Sequence, residues 1–185
     1  MGLALLSAAP ALAQPVMLDA KEGQLKYTLV HKLHEVSGVC KTVEGKAALT
    51  PDGGAKVQVR AKVACFDSGN SNRDVHMREV TREALYPLVS VKGTLAGLKL
   101  PLAAPLQTTL AATVEFNGNK QPVQVPVTLT SEGAKLRAVF KFDISLDAFQ
   151  VERPELLLVK VDDKLVIEGE LTFEPGEAAA APAAK

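Results

Sequence analysis

The chain has 185 residues, enough for one domain with a real core. Its 21 lysines and arginines balance 21 aspartates and glutamates, tryptophan is absent and aromatics make up 4%. Nucleic-acid binders need surplus basic charge to neutralise phosphates and aromatic faces to stack bases, so no nucleic-acid partner is expected.

Leu3 to Leu12 is a short apolar run, and Ala11-Leu12-Ala13 forms an A-x-A cleavage pattern before Gln14. Residues 1–13 are therefore expected to be an export signal, although the basic residues that normally precede such a run are missing; the competing reading is an unstructured apolar N-terminus. The run is too short to cross a bilayer, and no other stretch approaches the ~20 apolar residues a span needs. A periplasmic or secreted location follows as the expectation, with no membrane span.

From residue 25 onward apolar residues alternate with polar ones, the mark of strands with one buried face. Leu25, Tyr27, Leu29 and Leu33 share the first such face. Pro51-Asp52-Gly53-Gly54 signals a hairpin between a strand carrying Val43, Ala47 and Leu49 and one carrying Val57, Val59, Ala61 and Val63. A two-residue turn at Asp52-Gly53 would set Cys40 opposite Cys65, in keeping with an oxidising compartment. That register mismatches the apolar faces, which demand an even sum of paired residue numbers, so a bulge is needed to reconcile the two. A Cys40–Cys65 disulfide and a pair of buried thiols both remain open at this point.

Residues 72–85 break the alternation. Val75, Met77, Val80, Ala84 and Leu85 recur at helical spacing, Asn72 or Ser71 is available as a cap and Pro87 as a stop, which predicts one short helix flanking a barrel mouth. Val89 and Val91 resume the strand pattern. Leu110, Ala112, Val114 and Phe116 then lead through Asn117-Gly118-Asn119 to Val123, Val125, Val127 and Leu129, a second hairpin. Leu136 to Ile144 and Leu165 to Phe173 supply the last strands, separated by the apolar run Leu156 to Val159 and a turn at Asp162-Asp163. Residues 14–174 thus form one all-β domain of about eight strands, and the Ala/Pro-rich segment 175–185 is expected to be disordered.

Eight one-sided strands bury their apolar faces by closing into a barrel or by packing as a sandwich. The small inward residues, mostly valine and alanine, favour a hollow barrel. Its lining by face is Leu29, Val59, Val63, Val91, Val114, Phe116, Val125, Val127, Phe140 and Phe142, residues that read equally well as plain core.

His31 and His34 form an H-x-x-H pair, but residues three apart on a strand point to opposite faces, so no metal site is expected. Ser68, Asp74 and His76 are close in sequence without forming a nucleophile elbow, and the cysteines lack a C-x-x-C partner. No catalytic residue and no enzyme activity are expected.

Asp67-Ser68-Gly69-Asn70, Arg73-Asp74-Val75-His76 and Tyr86-Pro87 stand at the spacings of a family pattern: a strand ending in a Ser-Gly-Asn turn, an Arg-Asp-x-His block opening a helix, then Tyr-Pro and a further strand. Phe116-Asn117-Gly118 followed by Lys120-Gln121-Pro122-Val123 looks like the hairpin of the same family. On these motifs residues 25–173 resemble the YceI-like family, although the arginine and glycine usual near Leu146 and Gln150 are absent. The resemblance implies an eight-stranded antiparallel lipocalin-like β-barrel, exported to the periplasm, whose partner is an apolar lipid: an isoprenoid quinone, an isoprenoid phosphate or a fatty amphiphile. It requires no cofactor beyond such a bound lipid or quinone. Arg73 and His76 are candidate headgroup contacts, against a structural reading in which Arg73 and Asp74 form a local ion pair and cap. An exported barrel without ligand, structural or partner-binding, is the alternative.

Overall fold

The computed structural model describes residues 16–30, 35–156 and 159–176. The expected export signal, His31, His34 and residues 177–185 of the expected tail lie outside the described residues.

Eight strands close into one antiparallel barrel. In barrel order they are β1 (Val16–Val30), β3 (Val43–Thr50), β4 (Gly54–Lys62), β5 (Leu88–Ala96), β6 (Leu106–Phe116), β7 (Asn119–Glu132), β8 (Lys135–Ser145) and β11 (Lys164–Pro175). The ring shuts where β11 pairs with β1, from Leu29↔Leu165 to Leu18↔Pro175. The short β2 (Glu35–Cys40) pairs with the mouth half of β1 and β3 pairs with the other end, so β2 and β3 together make one bent wall element. A minimal hairpin of β9 (Glu155–Leu156) and β10 (Val159–Lys160) stands apart from the barrel sheet.

The strand periodicity decides which side chains point inward. Val59, Val114, Val125, Leu171 and Phe173 are all buried, while Lys56, Gln58 and Arg60 alternate outward. Small residues at Ala47, Ala55, Ala61, Ala112 and Ala138 share the inner face, and their short side chains leave volume along the axis.

Several boundaries depart from the sequence expectation. β1 begins at Val16, nine residues before residue 25, because a bulge at Ala20/Glu22 breaks the alternation without ending the strand. β11 runs to Pro175, and the Gly176 N–H donates to the Met17 carbonyl (2.9 Å), so the first two residues of the expected disordered tail belong to the barrel wall. The first hairpin turns on three residues, Pro51-Asp52-Gly53, with Gly53 at φ +82°, in place of the two-residue Asp52-Gly53 turn. Its ladder runs Thr50↔Gly54 to Val43↔Ala61, the even register that the apolar faces require.

The helix α1 covers Ser71–Val80, shorter than 72–85. Its cap is Asn70, whose side chain accepts the Arg73 N–H (3.1 Å), in place of Asn72 or Ser71. It stops before Pro87 because Arg82 adopts φ +49° and carries its guanidinium away to Asn117.

Candidate functional site

Two apolar cavities lie end to end inside the barrel. The deep one, about 130 Å³, is lined by Val59, Val91, Val114, Val125, Val127, Phe140 and Phe142 among others. The one at the mouth, about 330 Å³, touches Leu29, Val63 and Phe116. All ten residues assigned to the inner face by alternation therefore border one cavity or the other. Phe66, Val89, Ile144 and Ile167 border both, which makes them the neck between the two. Among the described residues, the one charged residue at the deep cavity is Arg60, and its guanidinium turns outward to Glu44 (2.6 Å).

Among the described residues, polar groups gather at the mouth. Helix α1 supplies Arg73, His76, Met77 and Val80, which at i, i+3, i+4 and i+7 share the helix face over the cavity. Asp74 does not pair directly with Arg73, contrary to the ion pair considered from the sequence. Both instead grip Ser68: Arg73 Nε donates to its hydroxyl (2.9 Å) and an Nη to its carbonyl (2.8 Å), while its N–H and hydroxyl donate to the Asp74 carboxylate (3.1 and 2.5 Å). The bonds fix the arginine against the Ser-Gly-Asn turn at the cavity rim. They also occupy the Ser68 hydroxyl on both sides. His76 is more than half exposed, with Glu79 3.8 Å from its Nδ1.

Tyr27 is a polar lining residue that strand alternation had placed on the apolar face without assigning it a role. Its ring lies flat over Gly38, where an added Cβ would come within 2.5 Å of the ring, and packs at 5.6 Å on Phe66. Burial, reinforced by the Asp74 carboxylate, pushes its phenol above 10.0, so it stays a protonated donor beside the cavity. A tyrosine at an inward strand position, with an apolar body and a polar tip, was the available signal. Glu152 at the same rim carried no pattern that marked it.

The mouth is held by contacts of long sequence range. Cys40 and Cys65 form a disulfide with Cα atoms 5.1 Å apart. It does not depend on the hairpin ladder: β4 ends at Lys62, a 3-10 turn (Val63–Cys65) swings the chain across, and Val39 and Asp67 form a bridge beside it. Disulfide and bridge together join β2 to this turn, where the β3–β4 ladder has ended. Opposite, the Asn117 side chain is fully buried. Its amide donates to the Phe149 and Gln150 carbonyls (2.9 Å each), and its oxygen accepts from Arg82 Nε (2.8 Å). Asn117 and Gly118 both take positive φ, the geometry of a tight two-residue hairpin, and Gly118 has no Cβ because Tyr86 packs over it. The Tyr86-Pro87 and Asn117-Gly118 motifs are thus parts of one clasp around the barrel rim.

Among the described residues no helix is long and apolar enough to cross a membrane, and no three His, Cys, Asp or Glu side chains converge as a metal site would require.

No curated protein sequence matches the chain significantly. Three solved structures share the fold at low identity. A polyisoprenoid-binding domain from Saccharophagus degradans, implicated in plant cell wall breakdown, aligns with TM-score 0.72 at 13% identity over 87% of this chain and 99% of its own. BcnA of Burkholderia cenocepacia aligns at 0.68 and 18% identity over 81% and 95% of the two chains. A YceI protein of Campylobacter jejuni aligns at 0.62 and 15% identity over 80% and 90%. The family model for the YceI-like domain matches residues 17–173, from the second residue of β1 to Phe173 near the end of β11, and the chain belongs to that family.

Proposed function

We propose that this barrel is a non-catalytic carrier or store for one amphiphile with a long apolar tail: an isoprenoid quinone, an isoprenoid phosphate or a fatty amphiphile. The carrying observation is the division of the lumen into a deep cavity walled by apolar side chains and a mouth ringed by Tyr27, Arg73, His76 and Glu152. A tail buried in the deep part gains about 0.8 kcal/mol per CH₂ taken from water, which binds without strong polar contacts. The mouth then offers a neutral donor from Tyr27 and a cation from Arg73 to whatever acceptor the head carries. The polyisoprenoid-binding description of the Saccharophagus degradans domain, which shares the fold, supports the same class of ligand.

The Cys40–Cys65 disulfide and the expected signal at 1–13 support a periplasmic site of action. The test is native mass spectrometry of the protein purified from a bacterial periplasm, followed by lipid extraction. One co-purifying amphiphile per chain is expected, lost on Ala138→Phe, which fills the deep cavity. A protein that carries no amphiphile and takes up neither a quinone nor an isoprenoid alcohol on reconstitution sinks the reading.

A further inference from the structure

The barrel wall is incompletely hydrogen-bonded between β7 and β8. Their ladder runs from Glu132↔Lys135 to Val127↔Phe140 and stops, although β7 continues back to Asn119 and β8 onward to Ser145. Over that stretch β7 is paired with β6 and β8 with β11, each on its far side only. The cause is written in β7. Pro122 and Pro126 pair with Thr113 and Thr109 of β6, and a proline is compatible with that ladder only where no N–H is required toward β6. Alternation then aims both vacant positions at β8. The next rung beyond Val127↔Phe140 would join Pro126 to Lys141, and Pro126 has no proton to give.

The seam begins at a rung that borders both the lumen and the outer surface. A surface groove of about 620 Å³ crosses the outer face at this level, and Val127 and Phe140 border both the groove and the deep cavity. The ring of Phe140 rests over Gly169, where a Cβ would approach within 2.2 Å, so the glycine gives the ring its seat and itself borders the groove. On the outside Val139 is 38% exposed, and with Pro126 it forms an apolar strip between Lys26, Lys141 and Glu168.

We infer that the β7–β8 seam, at the rung beside Phe140, is a side port through which the far end of a bound tail leaves the deep cavity and lies along the Pro126–Val139 groove. The inference rests on the lipid-binding reading and deepens it: the ligand class includes tails longer than the lumen. The mouth takes the head, the lumen the first isoprene units, and the groove the remainder.

Two alcohols and two variants test it. Farnesol, with a short three-unit tail, and solanesol, with a long nine-unit tail, are titrated into the wild type, the Pro122→Val/Pro126→Val variant and Phe140→Ala. The double variant restores two N–H groups, and amide hydrogen exchange at Asp143 and Gln124 reports closure of the seam. Expected are fast exchange at both amides in the wild type, slowed in the double variant, with solanesol binding weakened about tenfold (~1.4 kcal/mol) and farnesol unchanged. Phe140→Ala should speed solanesol release by a larger factor than it speeds farnesol release. Protection of Asp143 and Gln124 in the wild type, no slowing in the double variant, or equal effects on the two alcohols overturns the port and leaves the lipid reading intact. Failure of the wild type to bind either alcohol removes both.

Discussion

The two ends of this barrel are built by different physics. At the deep end the interior is apolar; Leu171 and Phe173 on β11 bury against the same cavity as Ala138 and Leu136 on β8. At the mouth, the ladders run out on both sides. The gap beside β2 is held by a disulfide and one bridge, and the gap above the β7–β8 seam by Phe149, Asn117 and the bonds between them. Hydrophobic burial is non-directional, so it can close the deep end around a void without specifying every contact. Where a rim must stay open to a ligand, directional and covalent links replace burial.

That contrast is broken most severely by removing the mouth's aromatic wedge. Phe149 is 1% exposed and packs 5.8 Å from Phe116. Phe149→Ala should cost about 4 kcal/mol and lower the melting temperature by roughly 10 °C, measured by denaturant and thermal unfolding. The substitution keeps the main-chain carbonyl that Asn117 and Asn119 hold but loosens the turn that presents it, so loss of protection in urea should begin at residues 116–119 while β11 stays protected. Next in size is the disulfide. Replacing Cys40 and Cys65 by serine should remove roughly 3 kcal/mol, and dithiothreitol should reproduce the loss in the wild type.

The same division governed what could be read from the chain before any coordinates. Val59, Val114 and Val125 declare their face by alternation alone, and face matching correctly demanded an even register across the first hairpin. The turn that achieves it was missed because Pro51-Asp52-Gly53 fits both two- and three-residue loops; tertiary pairing chose between them. Asn117 announced a turn, but its second role depends on Arg82, Phe149 and Gln150, each more than thirty positions away. No local pattern encodes such a partner. Pro122 and Pro126 stand inside an otherwise regular strand pattern, and which neighbour they leave unpaired is a property of the closed sheet.

The deep end should tolerate enlargement that the mouth does not. Ala138→Phe points into existing free volume, so its cost should stay under about 1 kcal/mol, against the ~1–3 kcal/mol of overpacking a filled core. Unfolding curves check the stability, and retention of a reconstituted isoprenoid alcohol should fall to background. A cost in the usual overpacking range would mean that the deep cavity is closed to a tail.

The smallest expected effect is acid sensitivity, and it separates the two ends by its salt dependence. On the barrel wall, hydrogen bonds from Lys141 and Arg137 hold Glu168 and Glu170 below their ordinary value of 4.5. At the mouth, a hydrogen bond with Ser145 and the Asp147 N–H lower Asp163 below 3.8. A carboxylate whose folded pKa is depressed stabilises fully above its unfolded pKa and loses that contribution as pH falls through the folded one. Unfolding followed from pH 7 into the range below those values should therefore show a modest decline. All three groups face solvent, which keeps the decline small. Molar salt screens Glu168 and Glu170 from their cationic partners, so Glu168→Gln/Glu170→Gln should flatten a salt-sensitive part of the profile. Asp163→Asn should flatten a part that salt changes less, because a hydroxyl and a backbone N–H are the main holders of that carboxylate and the Arg153 charge adds a smaller pull.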